Sequence, residues 1–491
     1  MTWRVYHDST KHSVDSLRRA QYALDWENMP DPFRNYENVP LLDLPADSPS
    51  PETPALEVLQ GDSGVTPDCD GSLLLSQLLF YSAAISASKR VPSAGNRYAL
   101  RVNPSSGNLH PTEFHFVTWG LKGWPGGLYH YRPSAHMAEQ RALGSLNLPG
   151  TSGPIVFVLT SIAWREAWKY RDRAYRYCLH DIGHAWQSIT LAAQAIGCEA
   201  FAVAHFDDDA VSRACRLPED EWPMLLVELR GRSIPICESN GGGIVWYGGQ
   251  TNKLSREITA YPRIDAIHQA TKIGGSAHGR IPAAEAESAG SGEIKLPPPA
   301  SSRRGFGEVA RGRRSALDFI GGQRSMSLPQ LSTILSAATR PLLADFAGAR
   351  FTQLYLYVHR VDGLQPGVYR FWPEHGELEA IKSGDQRVAA AGLSLGQDLA
   401  GNACVAFSMI GDFDRATRAH GDRGYRYVHF EAGATGQRLY LGAEACGLGA
   451  TGIGAFYDEE VHRYLKLRPE AGQVVYHFAI GYPVPDPRLE A

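Results

Sequence analysis

An α+β fold, built as two tandem copies of one unit, is what the sequence predicts, and three observations carry it. The stretch DRAYRYCLHDIGHAWQSITLAAQAIGCEAF from Asp172 returns as DRGYRYVHFEAGATGQRLYLGAEACGLGAT from Asp422, an offset of 422 − 172 = 250. Upstream, GLYHYRP from Gly127 returns as GVYRFWP from Gly367, at 367 − 127 = 240, so one copy has gained ten residues between the two marks. β-rich runs such as GPIVFVLT and LYLYVHRV do not alternate regularly with helical segments, which favours α+β over a doubly wound sheet.

Taken in order, the first copy occupies residues 1–272, a linker 273–300 and the second copy 301–491. The linker, GGSAHGRIPAAEAESAGSGEIKLPPPASS, is rich in Gly, Ala, Ser and Pro with almost no large apolar residue. It cannot bury enough surface to offset its ordering entropy and reads as flexible. The segment opening on YRY is helix-like in both copies: Ala-rich, free of Pro, and with Ile189, Ala192, Ala193 and Ile196 at helical spacing in the first. Two covalently joined copies imply a pseudo-twofold dimer within one chain.

Composition narrows the function classes. At 491 residues the chain exceeds a typical single core, and 43% hydrophobic with 20% charged residues is ordinary for a soluble globular protein. A formal charge of −4 with no basic stripe gives no case for nucleic acid. The seven cysteines are scattered, none in a CxxC pair, so neither a disulfide framework nor a zinc cage is expected. The start, MTWRVYHDSTKH, lacks an apolar signal core, and no run of roughly 18 apolar residues occurs; the expectation is a cytoplasmic protein without a membrane partner.

Five stretches are candidates for chemistry. Pro104, Ser105, Ser106, Gly107 and Asn108 precede the strand-like EFHFVTW, more hydroxyl and amide groups than a hairpin turn needs. Such a loop suits a planar polar ligand, although a capped turn has the same composition, and VPSAGN from Val91 is a near copy. In RGRRSALDF, Arg311, Arg313, Arg314 and Ser315 combine forked guanidiniums with a capping hydroxyl, as a phosphate clamp requires; a solvated basic helix start is the alternative. The first copy offers only Lys11, His12 and Ser13. GLGATGIGAF from Gly447 holds G-x-G-x-x-G but ends a helix instead of opening one, so it is not a dinucleotide fingerprint, though its backbone N–H groups can still approach a ligand. HDIGH (His180, His184) has zinc-helix spacing with Asp181 in place of the expected Glu and reads as helix packing with satisfied hydrogen bonds; no metal is expected. WKYRDRAYRY gathers Lys169, Tyr170, Arg171, Arg173 and Arg176, either a proton-transfer group or an amphipathic surface.

Together RVNPSSGNLHPTE, WKYRDRAYRYCLHDIGHA, RRSALDF and ACGLGATGIGAFYD resemble the nitroreductase superfamily of flavin mononucleotide (FMN) enzymes, in particular its SagB/ThcOx-type dehydrogenase branch, in tandem-fused form. The resemblance implies two nitroreductase-like domains with FMN in an interface cleft. Arg313, Arg314 and Ser315 would hold the phosphate, and Gly454 and Ala455 would approach the ring. Pro104, Ser105, Ser106 and Asn108 would contact the ring and ribityl chain from the other copy. Lys169 and Tyr170 match the catalytic Lys-Tyr pair of azoline-oxidising members; as a base Tyr170 would need cationic neighbours such as Arg171 and Arg173. The mirror cleft lacks its serine row, and His420 and Gly421 sit where Lys169 and Tyr170 map, so one working FMN per chain is expected. The implied activity is two-electron hydride transfer through flavin N5, with azoline-to-azole dehydrogenation of a peptide or small molecule as the reaction. The alternatives are an NAD(P)H-dependent nitro or quinone reductase and a non-catalytic scaffold in a peptide-modification complex.

Overall fold

The computed structural model describes residues 2–19, 23–65, 69–90, 97–231, 234–238, 243–274, 290–346 and 350–490. The VPSAGN copy, most of the linker (275–289) and Ala347–Ala349 lie outside them.

Each half is an antiparallel sheet backed by one long buried helix. In the first half the strands run, side by side, Met137–Leu143, Gly127–Arg132, Thr112–Thr118, Ile155–Ser161, Trp222–Arg230 and Glu199–Val203. In the second they run Glu377–Ser383, Gly367–Trp372, Thr352–Val358, Val405–Gly411, Gln473–Gly481 and Gly449–Ile453, the same order. The central strands Ile155–Ser161 and Val405–Gly411 are buried along their whole length, as their unbroken apolar runs require.

The core helices are Ala174–Ala195 and Gly424–Ala445, each 22 residues and buried on nearly every face. They pack on each other about the pseudo-twofold axis, where a glycine on each admits the other's backbone. A Cβ on Gly183 would sit 2.2 Å from the Phe430 carbonyl, and one on Gly433 2.2 Å from that of His180. Beside this crossing, Asp458 accepts from Arg173 and Arg176, and Asp208 from Arg423 and Arg426 (458 − 208 = 423 − 173 = 250). Burial pushes both carboxyls up, but the two guanidiniums outweigh it and hold each below the usual carboxylate range. Arg173 and Arg176 are thus neither a surface nor a proton-transfer group. They are buried ends of cross-half ion pairs, whose charges are tolerated because they are mutually satisfied.

The halves also exchange arms. The amino-terminal helix Trp3–Ser9 and the turn after it lie on the second half, with Arg4 paired to Asp414, Lys11 to Glu459 and the His12 N–H to Asp458. The carboxy-terminal strand Leu489–Glu490 adds to a hairpin of the first half, Ile85–Arg90 and Arg97–Arg101. The end of the span read as linker is not detached: Ile294–Lys295 pairs with Leu378 and Glu377 at the edge of the second sheet, and Leu296 is buried. Its apolar residues find a strand edge, which composition averaged over the span conceals. The ten-residue gain is located between Ser383 and Val405, where helices Arg387–Leu393 and Asp398–Asn402 stand; the first half joins the equivalent strands with Gly144–Pro154.

Candidate active site

A cavity of about 420 Å³ opens between the halves, lined from the first by the Asn103–His110 loop and the core helix, and from the second by Arg313–Leu317 and Gly452–Ala455. It brings together Pro104, Ser105, Ser106, Asn108, Tyr170, Arg313, Arg314, Ser315, Gly454 and Ala455 from the residues singled out above. Lys169 does not border the cavity but lies immediately behind: a Cβ on Gly107 would come within 2.6 Å of Tyr170 Oη and 3.2 Å of Lys169 Nζ. Glycine at 107 is required twice, by that approach and by its φ of 60°.

The basic corner is built from the buried Arg313 and the half-buried Arg311 and Arg314, without counter-ions among the described residues. Arg313 Nε donates to the Val102 carbonyl at 2.9 Å and Nη2 to that of Arg101 at 3.2 Å, while Nη1 is buried and has no protein partner. Burial pushes Arg313 down to about 10, and it lowers Arg314 and Arg311 too. Among the described residues none of the three forms an ion pair. A phosphate would supply the charge and the missing acceptor. Ser315 Oγ shares a 2.8 Å hydrogen bond with Tyr440 Oη, which accepts from the Gly452 N–H at 2.8 Å, and Ser315 bridges in parallel to Ala450. Tyr440 thereby ties the phosphate corner to the Gly-rich strand.

That strand, Gly449–Ile453, follows the core helix directly, so GLGATGIGAF is a helix stop and a strand. Its glycines are sites of close approach. A Cβ on Gly452 would fall 2.0 Å from Tyr476 Oη, and one on Gly454 2.4 Å from Tyr177 Cε1. The Gly454 carbonyl accepts from Tyr177 Oη at 3.1 Å and that of Ala455 from Gln397 Nε2 at 3.3 Å. Among the described residues neither the Gly454 nor the Ala455 N–H has a protein acceptor, so both suit a ring with acceptors at its edge.

The serine row has a different use from the one its composition suggested. Ser105 Oγ donates to Asp181 at 2.7 Å, and Ser106 donates to it through N–H at 3.1 Å and Oγ at 3.0 Å. Asn108 Nδ2 donates to the Ala99 carbonyl at 3.1 Å, and its Oδ1 lies 3.1 Å from His110 Nε2. These groups line the cavity, but their side-chain polar atoms brace the wall. Bracing is needed because Asn108 and His110 hold left-handed φ values of 60° and 50°.

Tyr170 packs edge-on against Tyr177 with centroids 4.5 Å apart, and Lys169 Nζ is 5.2 Å from the Tyr170 centroid. Arg173 is committed to Asp458 and Tyr177 and is therefore not the cation beside Tyr170. His184 reaches Gln437 at 3.3 Å and Tyr476 at 3.1 Å, and burial drives it down to about 3, so it is neutral. His180 has no hydrogen-bond partner at either nitrogen but stacks on Tyr476 at 4.4 Å, so packing accounts for it, hydrogen bonding does not. Sequence reasoning missed Tyr177, Asp181, Tyr440, Tyr476 and Gln397. A signal existed for the first two: with His184 they fall at i, i+4 and i+7 on one helix face.

The pseudo-symmetric cleft is closed by the chain itself. Residues 343–346 stand where 103–106 stand in the open cleft (345 − 105 = 240) and pair in parallel with the strand Glu199–Val203. Asp345 accepts from the Ala204 and His205 N–H groups, both at 3.0 Å, and the Phe346 ring stacks on Tyr427 at 4.4 Å. The helices Ala163–Tyr170 and Phe413–His420 are equally long and 250 apart, so His420 is the counterpart of Tyr170 and Ala419 that of Lys169; the match to His420 and Gly421 is one residue late.

Comparison with known proteins agrees with this geometry. The sequence pattern of the Nitroreductase family matches residues 81–231 and again 310–482. A protein of Methanocaldococcus jannaschii named as a nitroreductase, MJ1384, is 34% identical over 163 residues, 32% of this chain and 81% of that protein. The trifolitoxin-processing protein TfxB of Rhizobium leguminosarum bv. trifolii is 26% identical over 40% of this chain, and the microcin B17-processing protein McbC of Escherichia coli 27% over 27%. This chain spans 57% and 54% of those two proteins. A crystal structure described as a nitroreductase from Anabaena variabilis superposes with a TM-score of 0.76 at 25% identity, covering 98% of this chain and 99% of that one. The chain belongs to the nitroreductase family of oxidoreductases, carries the family's domain twice in tandem, and shares with TfxB and McbC the kinship expected of the SagB/ThcOx-type branch.

Proposed function

We propose that this protein is an FMN-dependent dehydrogenase with one flavin per chain, acting on azoline-like heterocycles of a peptide. The observation that carries the reading is the pairing of buried, counter-ion-free Arg313 with two acceptor-free N–H groups at Gly454 and Ala455 across one cavity. A phosphate at one end and a polar ring edge at the other satisfy both sets, and Tyr177, Tyr440 and Tyr476 give the cavity aromatic walls. Bound FMN supplies a two-electron acceptor at N5.

The protein's part is orientation and proton handling. Arg313, Arg314 and Ser315 fix the phosphate end, and the braced Pro104–Asn108 loop fixes the wall facing it. Tyr170 Oη, at the cavity surface with Lys169 behind, is the group that would take the substrate's Cα proton, Lys169 stabilising the phenolate. A peptide substrate is supported by the similarity to TfxB and McbC, whose names describe processing of peptide products. The similarity to MJ1384 favours a second reading, an NAD(P)H-dependent reductase, which anaerobic bleaching of the flavin by NADPH would reveal. The scaffold reading draws support from the blocked second cleft alone.

Flavin released by heat from the purified protein, measured per polypeptide, tests the proposal. A value near one is expected; a value near two or a colourless protein that FMN cannot reconstitute overturns it.

A further inference from the structure

Beneath the cavity wall lies a pair of carboxyls that the proposed chemistry does not use. Asp181, 2% exposed, sits on the core helix and takes every side-chain donor of Ser105 and Ser106 together with the Ser106 N–H. Ser105 Oγ in turn accepts from the His110 N–H at 2.8 Å, so the left-handed turn at Asn108 and His110 rests on the same carboxylate. No cation pairs with Asp181 among the described residues. Behind it Glu166, from helix Ala163–Tyr170, is fully buried with neither carboxyl oxygen partnered.

The second half shows that this pair is not a demand of the fold. Glu431, the counterpart of Asp181 (431 − 181 = 250), accepts from the Phe351 and Thr352 N–H groups and Thr352 Oγ1. Ala416 replaces Glu166 (416 − 166 = 250). The acid pair exists only under the open cleft.

We propose that Asp181 is the positioning residue of the cleft: its carboxylate clasps the Pro104–His110 wall, and gaining a proton releases that wall and weakens flavin binding. This rests on the FMN reading only for its second clause. An ionised carboxylate accepts from all three donors at once. A protonated one is a full acceptor at only one oxygen: with the hydrogen on Oδ2, the Ser105 hydroxyl must turn away, and the Ser106 N–H, 3.1 Å from both oxygens, loses one of its two acceptors. The groups facing Asp181 do not supply compensating charge. Burial and then Asp181 keep Glu166 well above the usual carboxylate range, and burial does the same for Cys178 on the same helix and Tyr476 on strand Gln473–Gly481, leaving all three neutral. Lys169 acts on Glu166, and His184 is neutral. Burial pushes Asp181 up to about 7 against the pull of Ser105 and Ser106, which puts the change in the physiological range.

The test combines FMN titration of the apoprotein, followed by flavin fluorescence, with hydrogen exchange of the 105–110 amides, each rate divided by the intrinsic amide rate at that pH, both at pH 6 and pH 8. The wild type is expected to bind about tenfold more weakly at pH 6, the change in ionised fraction across a midpoint near 7, with faster loop exchange. Asp181→Asn should bind weakly and exchange fast at both pH values. Ser106→Ala, which keeps the acid but removes a donor, should shift the midpoint to higher pH. The inference is overturned if wild-type loop exchange is the same at both pH values, or if Asp181→Asn keeps the wild-type pH response. Loop exchange that follows Asp181 in a protein that never binds FMN would uphold the clasp and sink the flavin reading.

Discussion

The two clefts of this chain are made by the same fold and differ in what a few residues do with it. In one, Gly452 and Gly454 leave space against Tyr476 and Tyr177, and Ser105 stands back from the strand to reach Asp181. In the other, Ala202 and Ala204 occupy the glycine positions (452 − 202 = 454 − 204 = 250), and Asp345, at the place of Ser105, caps the backbone N–H groups that the first cleft leaves open. Phe346 completes the closure. Pseudo-symmetry supplies two equivalent frames, and they differ in whether the loop satisfies the N–H groups at the end of the strand. Once an acid side chain does so, no ligand is needed.

Four outcomes would break or sharpen that contrast. The largest expected effect is from Gly454→Val, whose side chain must displace Tyr177: flavin content should fall from one per chain to nearly none, whereas Ala204→Gly in the closed cleft should leave it unchanged. Tyr170→Phe should retain flavin while turnover drops by about 100-fold or more, the scale of a lost proton-transfer group; unchanged turnover excludes the base role. Phe346→Ala should lower unfolding stability by about 3 kcal/mol, the cost of emptying a packed aromatic site, with flavin still near one per chain because Asp345 still caps the Ala204 and His205 N–H groups. A second flavin in that variant would show that the plug alone closes the cleft.

The smallest effect concerns pH. Burial lowers His130, but Glu113 and Glu139 outweigh it and push it up to about 9. Its contribution to stability is complete below the ordinary histidine value and is lost as pH rises through about 9. The second half has no histidine there but Arg370 (370 − 130 = 240). Hydrogen exchange at pH 7 and pH 10 should show strand Gly127–Arg132 loosening while Gly367–Trp372 does not, and His130→Gln should abolish the difference.

The architecture was legible because duplication writes itself into residue spacing: the 250 offset located both core helices, while the Asp208 and Asp458 ion pairs that obey the same offset were not singled out. Arg313, Pro104 and Gly454, which line one cavity, stood out because cationic clusters, rigid turns and close approaches each demand particular residue types. What stayed hidden depends on contacts between distant segments. The serine row looks the same whether it faces a ligand or a buried acid, and Asp181 was masked inside a pattern resembling a zinc helix. Tyr440 and Tyr476 read as core residues, which they also are. The strand Leu489–Glu490 carries no local mark of a partner some four hundred residues away.

Arms swapped at both ends, together with a covalent connection between the copies, give this chain a property that two separate subunits of the same shape would lack. Dimers assembled from separate subunits come apart on dilution, and their clefts vanish with them; here the effective concentration of one half around the other is fixed by the tether, on the order of millimolar or above. The cleft should therefore persist at nanomolar protein. Each half was also freed to accumulate changes its twin could never share, since no mutation appears twice.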